Sequence, residues 1–117
     1  MSSTAPNGLL IDATRLSEWM ESEPQLQVID VRETYEREAG HIEATRHIEL
    51  NRLTAEAASI DNERPVVFYC RVGSRSGMAA EAFRASGYEA YSLDGGLLRW
   101  AEEGRTLSPE GGTVARH

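Results

Sequence analysis

Residues 66–69, Val-Val-Phe-Tyr, form an unbroken apolar run that Pro65 starts and the only cysteine in the chain, Cys70, ends. A strand with one face in water alternates apolar and polar residues, whereas a run apolar at every position reads as a strand buried on both faces, as in the centre of a parallel sheet. Parallel strands need crossover connections, and the flanking sequence supplies them. The stretches GLLI (8–11), LQVIDV (26–31) and EAYSL (89–93) read as further strands, and RHIEL (46–50) holds a brief one. Between them lie helical patterns. Residues 13–22 are N-capped by Asp12 and put Leu16, Trp19 and Met20 on one face. A short helix within 32–43 closes near Gly40, and another over 51–59 is capped by Asn51. A helix over 76–87 lines one face with Met78, Ala79, Ala82 and Phe83 and stops at Gly87, and a last one ends at Gly104. This alternation predicts an α/β fold with a central, mainly parallel five-stranded sheet and helices on both faces.

At 117 residues the chain makes one domain that needs no disulfide or structural metal. The expected domain spans 8–106, with residues 1–7 and the polar, glycine-rich tail 107–117 as loose termini. No apolar stretch approaches the ~20 residues that span a bilayer, and the N-terminus has neither the basic region nor the apolar core of a signal peptide, so a cytoplasmic protein is expected. The net charge of −7 argues against a nucleic-acid or acidic-membrane partner. All twelve basic residues are arginine. Without lysine there is no Schiff base and no Walker-type phosphate loop. A lone cysteine excludes an internal disulfide and Cys-x-x-Cys redox chemistry. The scattered His41, His47 and His117 offer no metal-ligand spacing, so neither a metal nor another cofactor is expected.

Cys70 falls where the central strand ends and a loop to the next helix begins, the place where open α/β sheets bind ligands. Gly73 permits a tight turn in CRVGSR, and such a turn can aim successive N–H groups inward as a nest for an anion, backed by the N-terminus of the following helix. A thiol at its centre would have its thiolate stabilised and reactive. Arg71 and Arg75 add positive charge at the rim. The plain alternative is that Cys70 packs the core, as free cysteines usually do. Strand end, glycine, two arginines and a helix start within six residues favour the anion-binding cysteine. That reading requires amide hydrogens that converge on the sulfur and an opening from solvent to the thiol.

Three segments resemble the rhodanese-like sulfurtransferases. VIDVRETYEREAGHI is similar to the family's Asp-Val-Arg…Glu…Gly-His-Ile stretch, YCRVGSRS to its active-site loop, and LDGGLLRWAEEG to its closing Gly-Gly…Trp…Gly element, and together they cover about residues 11–104. The resemblance implies a rhodanese-like fold and assigns to Cys70 the role of accepting a sulfane sulfur as a persulfide. The donor would be thiosulfate or a persulfide and the acceptor cyanide, a small thiol or a protein thiol, by covalent ping-pong catalysis. The loop residues Arg71, Val72, Gly73, Ser74, Arg75 and Ser76 would bind substrate and cradle the persulfide. Asp30, by orienting a loop arginine, and Arg32 would support them. His41, Tyr69, Trp19 and Trp100 read as structural.

The related dual-specificity phosphatases carry Cys-x5-Arg, which would need an arginine at position 76, where Ser76 stands. The ring is one residue shorter and suits a sulfur atom better than a phosphoryl group. After Gly-His-Ile the family usually continues Gly-Ala, then Asn-Ile-Pro, whereas this chain has EATRHIEL, with His47 and Glu49 at the Asn and Pro positions; the shape of that turn is open. Other functions in view are a non-catalytic binding module and a protein-to-protein sulfur relay. A monomer is expected.

Overall fold

The computed structural model describes residues 8–117; the expected loose residues 1–7 lie outside them. Five strands, β1 (Leu10–Ile11), β2 (Gln27–Asp30), β3 (Arg46–His47), β4 (Val66–Tyr69) and β5 (Ala90–Leu93), form one sheet in the order β1-β5-β4-β2-β3, and every pairing is parallel. The apolar run is the central strand, as its pattern requires. Its side chains alternate between two cores. Val67 and Tyr69 join Ile11, Leu16, Trp19, Leu97 and Trp100 on one side of the sheet. Val66, Phe68 and Cys70 join Ile29, Val31, Ala79, Ala80 and Phe83 on the other.

The helices α1 (Ala13–Ser22) and α5 (Gly96–Glu102) cover the first side, and α3 (Leu53–Glu56) and α4 (Ser74–Ala85) the second. The Asp12 carboxylate accepts from the Arg15 N–H at 2.8 Å, a cap worth about 1 kcal/mol. The short α2 (Thr34–Ala39) ends at Gly40.

Three local expectations are corrected. The helix expected over 51–59 is broken into a 3₁₀ turn (Leu50–Arg52), the single turn of α3 and a second 3₁₀ turn (Ala57–Ser59). Asn51 sits inside the first turn instead of capping, and the Ser59 hydroxyl takes the Glu56 carbonyl, a local bond that competes with helix continuation. The buried face of α4 is Ser76, Ala79, Ala80 and Phe83, while Met78 is exposed, as is Ala82. The helical stripe is anchored on a polar residue, Ser76, that a search for apolar positions passes over.

The third correction is the tail. Residues 107–117 fold back along α2. His41 and Ser108 form an antiparallel bridge, the Thr113 N–H donates to the Ala39 carbonyl at 2.8 Å, and Leu107 and Val114 pack against the first core. Backbone pairing and two apolar residues spaced along a polar segment anchor it together. None of the described helices is long and apolar enough to cross a membrane.

Candidate active site

Cys70 closes β4, and its sulfur faces the start of α4. Gly73, the residue before that helix, has φ +112°, a left-handed conformation that a side chain resists. Being glycine, it has no side chain with which to cap the helix. The cysteine does so in its place: Sγ accepts from the Gly73 N–H at 3.0 Å and from the Ser76 N–H and hydroxyl, each at 3.4 Å. The Ser76 N–H belongs to the first turn, where backbone donors have no partner within the helix. Negative charge on the sulfur would meet these donors and the positive end of a twelve-residue helix. Ser76 is fixed in turn by a 2.8 Å bond between its hydroxyl and that of Ser92 on β5.

The loop is clamped from its other side by α5. The Leu97 and Leu98 N–H groups donate to the carbonyls of Cys70 and Arg71, both at 2.9 Å. Gly96, at φ +61°, sits so close that a Cβ would collide with the Arg71 and Cys70 carbonyls. The Gly-Gly element thus holds the backbone of the cysteine loop.

Convergence on the sulfur is met by two amides and one hydroxyl, from Gly73 and Ser76; the other loop residues place no donor on it. The required opening to solvent is not present in this conformation, because Cys70 is fully buried. It belongs to the second core, with Ile29, Val31, Ala79 and Ala80, while Val72 and Ser74 of the loop that follows are exposed. Above the loop lies a cavity of about 420 Å³ lined by Arg71, Val72, Ser74, Arg75, Arg116 and His117.

The two loop arginines differ. Arg75 is held by Glu36 through paired hydrogen bonds of 2.8 and 3.0 Å. Burial pushes the Glu36 carboxyl up, but the Arg75 hydrogen bond, a backbone bond at Glu33 and the charges of Arg75 and Arg32 outweigh it and hold it below the usual carboxylate range. Arg71 makes no such pair, and its Nε is buried without a hydrogen-bond partner.

Asp30 does not orient a loop arginine, which corrects the expectation from sequence. It binds Arg32 at 2.7 and 2.8 Å and approaches Arg37 at 3.6 Å, two positions on its own side of the sheet. Arg32 is fully buried and also donates to the Gly40 carbonyl, so it locks the end of α2. The carboxylate that braces the loop is Glu36, which the sequence signals only as the glutamate of the Asp-Val-Arg…Glu…Gly-His-Ile stretch. His41 bonds the Arg37 carbonyl. Tyr69, buried, accepts from the Ile42 N–H at 3.1 Å; burial first, and then the Asp30 charge, push its hydroxyl up to about 12. Glu33, Glu36 and His117 bring possible metal-ligand atoms within 4.8 Å of one another, but both Glu36 oxygens are taken by Arg75.

Residues 12–103 match the sequence model of the rhodanese-like domain. The chain belongs to the rhodanese-like family. It is 44% identical over 75 residues to a Bacillus subtilis protein named YqhL, a match covering 63% of this chain and 60% of that one. It is 37% identical over 75 residues to the thiosulfate sulfurtransferase GlpE of Pseudomonas paraeruginosa, covering 63% of this chain and 68% of that protein. Among solved structures, a rhodanese-related protein from Thermoplasma volcanium superposes with a TM-score of 0.80 at 27% identity, covering 88% of this chain and all of that one. The expected rhodanese-like fold, with its five parallel strands, is the observed one. The chain is similar to sulfurtransferases beyond the fold alone.

Proposed function

We propose that this rhodanese-like protein is a sulfurtransferase working through a persulfide on Cys70, with thiosulfate or a persulfide as donor. The observation that carries the reading is the set of donors from Gly73 and Ser76 on the Cys70 sulfur. With thiosulfate, the Cys70 thiolate attacks the outer sulfur. The bond between the two thiosulfate sulfurs breaks, sulfite leaves with its electron pair, and the Cys70 persulfide anion remains. An acceptor nucleophile (cyanide, a small thiol or a protein thiol) then attacks the outer sulfur and releases the Cys70 thiolate. The amides favour the anion in both resting states. Arg71, lining the cavity, meets the donor; Arg75, tied to Glu36, braces the loop. Because the thiol is covered in the resting conformation, the 71–75 loop must yield for the donor to reach it. The protein acts as a cytoplasmic monomer.

Mass spectrometry of the intact chain after thiosulfate treatment should show a gain of about 32 Da, one sulfur atom, on Cys70, with thiocyanate released on adding cyanide. A chain that takes up no sulfur from a panel of donors refutes the reading. The buried thiol favours a second reading, a non-catalytic docking module. That reading gains if native Cys70 resists iodoacetamide and a Cys70→Ser chain keeps its cellular role.

A further inference from the structure

The chain has twelve arginines and no lysine. Among the described residues, ten of the twelve side chains are engaged: eight pair with carboxylates, Arg84 bonds the Ala90 carbonyl and stacks on Tyr91, and Arg15 is also partnered. The side chains of Arg71 and Arg116 are not. One follows the central strand and the other sits in the C-terminal tail, yet both line the same cavity above the cysteine loop.

Arg116 reaches that cavity because the tail is held in place. The Tyr35 hydroxyl donates to the Arg116 carbonyl at 3.0 Å, and His117 Nε2 lies 3.1 Å from a Glu33 oxygen. The other titratable side chains at this mouth have partners: Arg75 pairs with Glu36, and the His117 ring bonds Glu33. What remains is two uncommitted guanidinium groups facing one space, in a protein of net charge −7. The tail lies beyond the residues that match the family model, 12–103.

We infer that Arg116 is a specificity-determining residue which, with Arg71, receives the oxyanion group of the sulfur donor. The inference rests on the sulfur-transfer reading of Cys70. Guanidinium groups offer a fork of donors to sulfonate or carboxylate. When the sulfur is taken from thiosulfate, sulfite leaves carrying the same oxyanion group, so a cation at the donor's outer end holds donor and leaving group alike. The oxyanion has two sources, the sulfonate of thiosulfate or the carboxylates of a peptide persulfide.

The test separates binding from chemistry. In a Cys70→Ser chain, which cannot take sulfur, thiosulfate and, separately, glutathione are titrated and followed by NMR of the arginine Nε–H groups. Saturable binding of one of them is expected, and the better ligand names the source. Adding Arg116→Gln should weaken it about tenfold, the scale of one charge-assisted hydrogen bond, and Arg64→Gln, beside Asp61 at the opposite end of β4 from Cys70, should not. Binding unchanged by Arg116→Gln, or binding of neither probe to the Cys70→Ser chain, overturns the inference. In the chain that retains Cys70, Arg116→Gln should raise KM for thiosulfate about tenfold and leave kcat in place. If that chain never forms a persulfide while Arg116→Gln still weakens anion binding about tenfold, the sulfur-transfer reading fails and the anion entrance stands.

Discussion

Glu36 and Arg75 join two elements that are far apart in sequence: a carboxylate in the first turn of α2 holds the second residue of α4 by two parallel hydrogen bonds. The same carboxylate accepts from the Glu33 N–H at 3.1 Å, so one buried side chain caps its own helix and fixes the cysteine loop. Neutralising it should be costly. Glu36→Gln leaves a mostly buried guanidinium without its counter-charge, and we expect a loss of about 2–4 kcal/mol at neutral pH.

The pH dependence of the pair has a defined direction. The Glu36 carboxyl ionises below its ordinary value of 4.5 in the folded chain. The unfolded chain therefore binds the proton more readily, and the stabilisation is complete above about pH 4.5 and lost as pH falls through the lower folded value. Urea unfolding across pH 7 to 3 should show the Glu36→Gln deficit shrinking on the acid side. A deficit of constant size would refute this account.

Ser76 tests whether the donors on the sulfur matter for reactivity. Ser76→Ala removes the hydroxyl 3.4 Å from Sγ together with its bonds to the Gly73 carbonyl and to Ser92. Ser92→Ala removes only the bond between the two hydroxyls. Both should cost about 1–2 kcal/mol of stability, but only Ser76→Ala should slow native alkylation of Cys70, by roughly threefold to tenfold. Equal rates in the two variants would mean that the hydroxyl has no part in activating the thiol.

These contacts mark where the sequence could be read and where it could not. The apolar run at 66–69, the Asp12 cap and the strand–helix alternation act over a few residues, so the central strand, α1 and the parallel sheet were legible. So was Cys70 at a strand end, because its neighbours in sequence are its neighbours in space. Glu36 reaches Arg75 across 39 positions, and Arg116 reaches the Arg71 cavity from the C-terminal tail. Nothing local in either segment signals such a meeting. Asp30 was assigned the brace because it ends the adjacent strand, but its own near neighbour Arg32 saturates it.

The atypical turn after His41 carries a small strain. Ala44 has φ +66°, a left-handed conformation costing a residue with a Cβ about 1 kcal/mol. Without the expected glycine and proline, the turn is held by its neighbours: the Thr45 hydroxyl donates to the Ile42 carbonyl, His47 bonds the Arg32 carbonyl, and Glu49 accepts from the Thr34 N–H. Ala44→Gly relieves the strain but frees the unfolded chain, so the net gain should be about 0.3–1 kcal/mol. A fall in Tm would show the turn to be unstrained.

Gly96 should be the least replaceable residue outside the loop. A Cβ there would lie 2.6 Å from the Arg71 carbonyl carbon and 2.7 Å from the Cys70 oxygen, both backbone atoms that cannot swing aside. Gly96→Ala combines the left-handed penalty with overpacking, about 2–4 kcal/mol in total. To make room, the loop must move off α5, loosening the Leu97 and Leu98 bonds to the Cys70 and Arg71 carbonyls. That shift displaces the Gly73 and Ser76 donors from the sulfur. Sulfur uptake from thiosulfate should therefore fall by more than tenfold under conditions where urea curves show the variant fully folded. Full uptake in a folded Gly96→Ala chain would mean that the clamp from α5 does not set the geometry at Cys70.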